Sequence, residues 1–359
     1  MADKRRILFL VPYPVKRAPS QRFRVELFEP VLKDAGISYT ISPFMSERTW
    51  DILYKPGNTL KKALSIAGGY LRRLRNVLID VHGYSHVFIH REAAPLGPPV
   101  FEWILTKLWG KRVIYDFDDA IWIPNTGNEN KIAAALKANW KVKRICKWVD
   151  TVVAGNEYLC AFARQHNEHI VCIPTVVDTE RFHNKVKEHR TDSIIIGWTG
   201  SHSTLPFLEE ILPTLRELNN EHRFTLLVIA NRKPSFEFPS MMFIPWKEET
   251  EIDDLLHADI GIMPLTTDQW SEGKCGFKLI QYLSLGIPAV ASPVGVNSKI
   301  IDHGVNGFIA NNPQEWKQHL LDLINDPEKR HAFGKAGRQK MIREYSLQSQ
   351  KEIFLSLFR

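Results

Sequence analysis

Several groups of residues in this chain have types and spacings suited to chemistry. In the stretch SEGKCGFKLIQYLSLGIPAVASPVGVN (271–297), Glu272, Lys274, Gly276 and Lys278 precede or enter a helix. Lysines beside the free amides of a helix start make a site for a diphosphate. Glu272 could accept hydrogen bonds from sugar hydroxyls, and Gln281, about a turn beyond Lys278, sits on a similar face. Isolated charges are usually just solvated, but this cluster is dense enough to favour a site. A second candidate is GWTGSHST (197–204), where Gly200 and Ser201 lie between a strand and a helix starting near Leu205. Glycine and helix-start amides suit an anion; a tight turn capped by Ser203 or Thr204 fits equally well. It is not a P-loop, which ends in Gly-Lys-Ser/Thr.

Three further features belong to the first half. His90 ends the strand SHVFIH and opens a Pro/Gly-rich loop, although a lone histidine is more often structural. In YDFDDAIW (115–122), Asp116 and Asp118 form a D-x-D pair that could bind a metal–nucleotide complex. The favoured alternative is structural: Asp118 or Asp119 caps the next turn or pairs with Arg22 or Arg24. In the front loop (12–30), Ser20 is a candidate N-cap that places Arg22 and Arg24 in the first helical turn. Cations there oppose the helix dipole, at about 0.3–1 kcal/mol. That suggests a grip on phosphate or an acidic acceptor; an ion pair is the alternative.

The elements that must position these residues follow from periodicity. Apolar runs at 5–11, 37–41, 85–90, 112–117, 151–155 and 169–174 alternate with helical patterns at 20–35, 58–80, 96–109, 130–147 and 156–166. Continuous apolar strands between amphipathic helices indicate a parallel sheet covered on both faces. After a polar stretch at 179–192, read as a linker, the pattern restarts. Strands are expected at 193–200, 223–230, 241–246, 259–265 and 288–294, with helices at 205–219, 249–257 and 276–285. The expectation is an α/β chain of two doubly wound Rossmann-like domains facing a central cleft, with the sites at strand carboxyl ends. The domains are placed at 1–182 and 183–345, with a last helix at 346–359 packing on either one.

Composition narrows the class. The 359 residues are 44% hydrophobic and 24% charged, which excludes disordered and fibrous classes. Lys plus Arg number 47 against 40 Asp plus Glu, a net charge of +7 that points to an anionic partner. Cys146, Cys160, Cys172 and Cys275 form no C-x-x-C pair, so zinc and redox sites are unsupported and a reducing cytosol is expected. Prolines interrupt the N-terminal apolar run, which reads as a buried strand and not a signal peptide. No run is long enough to span a bilayer. The basic helices at 58–79 and 138–148 carry Trp, Leu and Ile, suiting either an anionic membrane surface or a solvated face. No nucleic-acid motif accompanies the charge.

The segment GKCGFKLIQYLSLGIPAVASPVGVNSKIIDHGVNGFIA (273–310), with GWTGSHST, IPTVVDTERF (173–182) and LLHADIGIMPL (255–265), resembles glycosyltransferase family 4, retaining enzymes of the GT-B fold. SQRFR and YDFDDAIW are similar to segments in a subset of these enzymes. The resemblance implies sugar transfer from a nucleotide-sugar donor, used as substrate without cofactor or metal. The acceptor would be a glycan or lipid-linked glycan of a cell-surface polysaccharide or glycoconjugate. It implies donor contacts from the second domain, acceptor contacts from the first, and His90 beside the reacting sugar carbon. The family's two glutamates, separated by seven residues, fall here at Gly273 and Gln281, leaving Glu272 one place away. Ser201-His202 stand where an arginine is usual, so Lys274, Lys278 and Arg232 would hold the diphosphate. A nucleotide-sugar epimerase or hydrolase, a non-catalytic sugar-nucleotide binder, and a metal-dependent single-domain transferase are the competing functions. The expected location is the cytoplasm, with peripheral attachment at the inner face of the cell membrane.

Overall fold

A computed structural model of the protein describes residues 5–53, 57–124, 137–189 and 193–359. Two compact units divide the chain: residues 1–175 with 351–359, and residues 176–350. Each contains one six-stranded parallel sheet.

In the first unit the strands are β1 (Arg6–Val11), β2 (Ser38–Pro43), β3 (His86–His90), β4 (Arg112–Phe117), β5 (Thr151–Ala154) and β6 (Ile170–Cys172). Their spatial order is β2-β1-β3-β4-β5-β6. The chain steps from β1 outward to β2, then returns to β3 and proceeds the other way. That reversal leaves a switch point between β1 and β3 at the carboxyl edge, the place where open α/β sheets bind ligands. Apart from the exposed Arg6 and the two histidines that bound β3, β1 and β3 are apolar and buried, as strands covered on both faces are.

In the second unit β7 (Ile195–Gly200), β8 (Thr225–Ala230), β9 (Met241–Pro245), β10 (Ile260–Met263), β11 (Ala289–Ala291) and β12 (Gly307–Ile309) lie in the order β12-β11-β10-β7-β8-β9. The switch point falls between β7 and β10. The helices Leu205–Glu221 and Pro313–Asn325 supply Leu208, Leu212, Leu215, Trp316, Leu320 and Leu323 to the core on one side of the sheet.

Three expectations need correction. The division after Thr175 precedes the boundary placed at 182, and residues 179–189 of the supposed linker belong to the second unit. There the Lys187 amide donates to the Leu285 carbonyl at 2.8 Å, and its ammonium lies 3.0 Å from Asp259. His189 Nε2 also lies 3.0 Å from the Gly286 carbonyl oxygen. A polar sequence can therefore pack through main-chain and charged contacts without apolar periodicity. The long helices Pro313–Asn325 and Pro327–Glu344, and the three-residue strand β12, were not anticipated. The expected helix at 130–147 is seen as Lys141–Trp148, with residues 130–136 outside the described residues.

The helix Leu347–Ser356 carries the chain into the first unit. Phe354 stacks on Phe28 with ring centroids 3.9 Å apart, and Phe358 meets Phe9, Phe88 and His86. Both phenylalanines are buried. Phe354→Ala is expected to destabilise the first unit by about 3–5 kcal/mol. Denaturant unfolding checks it: a transition midpoint equal to wild type would mean that the aromatic stack is dispensable.

Candidate active site

The first unit builds its site from the register of two strands. His90 and Asp116 are partners in the parallel ladder of β3 and β4, so their side chains project to the same face. His90 Nδ1 lies 2.7 Å from Asp116 Oδ2. Arg24 approaches the same carboxylate, its Nε 3.2 Å from Oδ1, and also donates to the Ile173 carbonyl. All three side chains are buried. A carboxylate only accepts, so Asp116 holds Nδ1 as the donor and leaves Nε2 to face outward. There Nε2 meets Ser20 Oγ at 2.9 Å.

Two expectations for the front loop are overturned here. The helix is only Pro19–Arg24, its N-cap is Ala18, and Ser20 makes no capping bond. With so short a helix, Arg22 and Arg24 fall in its last turn, where the dipole favours cations. Proline at the first helical position sets this start one residue ahead of Ser20, freeing the hydroxyl to reach His90. Arg22 lies over the Phe23 ring, 5.0 Å from its centroid.

Asp118 and Asp119 share a cation beyond those expected, and Arg24 also acts on Asp118. Arg91 takes both: its Nε donates to Asp118 at 2.9 Å, and a terminal nitrogen bonds Asp119. Arg91 has φ +60°, a conformation that costs a non-glycine residue about 1 kcal/mol or more. Nothing in the sequence marked Arg91 beyond its place directly after His90. Burial alone would raise the Asp118 carboxyl. Arg91 first, then His90 and Arg24, outweigh burial and hold it well below the usual carboxylate range. In the D-x-D pair, Asp116 is thus bonded by Arg24 and Asp118 by Arg91.

The second unit gathers a cationic edge. Gly200 ends β7, and a Cβ there would fall 2.5 Å from the Trp198 ring and 2.6 Å from Thr204 Oγ1. Glycine is required by this packing. The Ser201 amide donates to Thr204 Oγ1 at 3.1 Å, and the His202 amide to Asn231 Oδ1 at 2.8 Å. A tight turn therefore occupies two of the amides that an anion would use. Arg232, exposed, follows Asn231 in the loop after β8, so it borders this turn.

Lys278 joins the same edge, its Nζ 5.4 Å from the centroid of the Trp198 ring. Lys274 Nζ lies over Trp270 at 5.2 Å. Gly276, with φ +67°, starts the helix Phe277–Ser284, and a Cβ on it would strike Ile300 Cδ1 at 2.2 Å. Glu272 Oε2 accepts from the Gly295 amide at 3.1 Å. Gln281 is turned inward: it is buried, and its Nε2 donates to Glu251 Oε1 at 3.0 Å. Glu251, which also accepts from Trp246 Nε1 at 3.2 Å, carried no signal in the sequence.

Two units, each with a parallel six-stranded sheet and helices, define the GT-B fold of glycosyltransferases. Residues 239–340, which include Glu272, Lys274, Gly276, Lys278 and Gln281, match the family model of glycosyl transferases group 1. Over 95 residues the chain is 28% identical to spore coat protein SA of Bacillus subtilis, covering 26% of this chain and 25% of that protein. The chain thus matches about a quarter of that relative's length. The fold is similar to sucrose-phosphate synthase of Thermosynechococcus elongatus, with TM-score 0.68, 13% identity, and 99% and 98% of the two chains covered. It is also similar to HepE of Anabaena, solved with UDP and glucose, with TM-score 0.66, 14% identity and 98% of each chain covered.

The depressed Asp118 carboxyl has a sign. Its stabilisation is in place above the ordinary value of 3.8 and is lost as pH falls through the lower folded value. Arg91→Gln removes the largest favourable partner, so acid unfolding should begin at higher pH than in wild type. Circular dichroism across pH 2–6 (about the carboxylate range) tests this; coincident curves would remove the role given to Arg91.

Proposed function

We propose that this chain is a retaining glycosyltransferase of family 4 that moves a hexosyl or related sugar from a nucleotide-sugar donor to a glycan or lipid-linked acceptor. The single observation that carries it is a coincidence of two features in the second unit. The segment matched by the group 1 model is also the segment that sets Lys278 beside the β7 turn, with Arg232 bordering that turn from the next loop. Lysines over aromatic rings at a helix start suit a diphosphate. HepE, which shares the fold, was solved with UDP and glucose, and this supports a nucleotide-sugar donor here. The reaction proposed needs no metal and no cofactor, because the departing diphosphate takes up the acceptor proton while cationic side chains hold it. The first unit, with Ser20, Arg24, His90 and Asp116, is assigned to the reacting sugar and the acceptor.

A non-catalytic nucleotide-sugar binder is the second reading, favoured by the inward Gln281 and by Gly273 at a position where the family carries glutamate. A thermal-shift screen of nucleotides and nucleotide sugars, followed by turnover on acceptor pools, separates the two. Lys278→Ala should weaken donor binding about 10- to 100-fold, and His90→Ala should lower turnover by a factor on the order of 100. Donor binding without turnover on any acceptor would favour the second reading. Unchanged binding in Lys278→Ala would remove the diphosphate role.

An anionic membrane surface is the proposed partner of the first unit, at the cytoplasmic face. No helix among the described residues is long and apolar enough to cross a membrane. The helix Thr59–Leu78 instead exposes Leu60, Leu64 and Leu71 at 72%, 64% and 67% on one face, with Lys61, Lys62 and Arg75 and no acidic residue on the helix. Exposed leucines flanked by cations suit partial insertion among anionic headgroups. Flotation with phosphatidylglycerol vesicles should recover the protein, and Leu64→Asp with Leu71→Asp should abolish it; equal recovery with neutral vesicles would rule against the charge component.

A further inference from the structure

His90 cannot reach a substrate directly in the arrangement seen here. Its side chain is fully buried, and both ring nitrogens are engaged, Nδ1 by Asp116 at 2.7 Å and Nε2 by Ser20 Oγ at 2.9 Å. Ser20 is the outermost member of the series Arg24, Asp116, His90, Ser20, and it is only half-buried. It sits at the switch point of the first sheet, on the helix that follows β1 and beside the end of β3. The other charged group of the site, Asp118, is bonded by Arg91.

We propose that Ser20 is the residue that contacts the sugar being transferred, and that His90, Asp116 and Arg24 act through it as positioning residues. This rests on the glycosyltransferase reading above. The chemistry is specific. A serine hydroxyl donates one hydrogen bond and accepts others, so it complements a sugar hydroxyl in either role. Left alone, a serine on the second residue of a short helix rotates freely about χ1. Here Nε2, fixed in direction because Asp116 fixes Nδ1, selects one orientation of the hydroxyl. The Arg24–Asp116 pair locks that direction from below. Ser20 is therefore preorganised without being part of the sheet: its hydroxyl donates to Nε2, and its oxygen can still accept from a sugar hydroxyl.

The inference separates from the simpler idea that the imidazole itself touches the sugar. If the effect of His90 travels through Ser20, the two residues form one unit, and their losses do not add. The experiment uses the full chain and the nucleotide sugar identified by the thermal-shift screen. kcat and KM are measured for wild type, Ser20→Ala, His90→Ala, the double variant and Ser20→Thr, with melting midpoints recorded for each. Ser20→Ala and His90→Ala are expected to lower kcat by similar factors, on the order of 10- to 100-fold, with the double variant no worse than the poorer single. Ser20→Thr, which keeps the hydroxyl, should recover most of the rate. Ser20→Ala turning over at the wild-type rate while His90→Ala fails would overturn the proposal, as would a double loss equal to the product of the single losses. Should His90→Ala melt at room temperature, Ser20→Ala against Ser20→Thr decides alone. A wild-type chain inert towards every nucleotide sugar overturns the glycosyltransferase reading instead, and with it this inference.

Discussion

The buried pair between Arg24 and Asp116 is the constraint on which the first unit's site depends. Removing two charges from water costs several kcal/mol per ion, recovered only if geometry and hydrogen bonding are nearly complete. The structure meets that demand from four directions. β4 supplies the carboxylate, β3 supplies His90 to one of its oxygens, the helix Pro19–Arg24 supplies the guanidinium, and the Ile173 carbonyl accepts from the same guanidinium. The front loop is in turn pinned by Gln21, fully buried, whose oxygen accepts from the Tyr13 amide while its nitrogen donates to Glu26. A shift of β3 against β4 by one residue would part the buried His90 from Asp116. Register, helix start and loop path are thus set together.

The second unit handles charge in the opposite way. Lys274 and Lys278 lie over rings, at 5.2 and 5.4 Å from their centroids, and a cation over an aromatic face at a partly exposed site gains only about 0.5–1 kcal/mol from it. One unit therefore offers a fixed polar array, and the other cations that lie over aromatic rings. That division suits a reaction in which one partner must be aligned and the other carries charge that must be met and released.

Much of this was legible before any coordinates. Long apolar strands such as β1, β4 and β8 announced themselves because parallel sheets bury both faces. The Lys274–Lys278 cluster was visible because its charges are dense, and His90 because it closes a strand. What escaped notice escaped for identifiable reasons. Arg91 and Glu251 act through partners distant in sequence, which spacing cannot reveal. The helix Pro327–Glu344 is charged all round, so periodicity did not mark it, although Asp326 before Pro327 was a start signal: the Asp326 side chain accepts from the Lys329 amide. The direction of the dipole effect at Arg22 and Arg24 was misjudged because the helix is one turn and a half long, and which turn is last depends on where it stops.

The return of the chain to the first unit through Phe354 and Phe358 bears on the order in which the molecule can be completed. During synthesis, β1 to β6 emerge first, yet the aromatic plug that closes over Phe9, Phe28 and Phe88 is encoded after the whole of the second unit. The first unit must wait with an open apolar face while its neighbour is made. A fragment ending at Thr175 would keep that face exposed permanently, and would be expected to aggregate even with its entire sheet present.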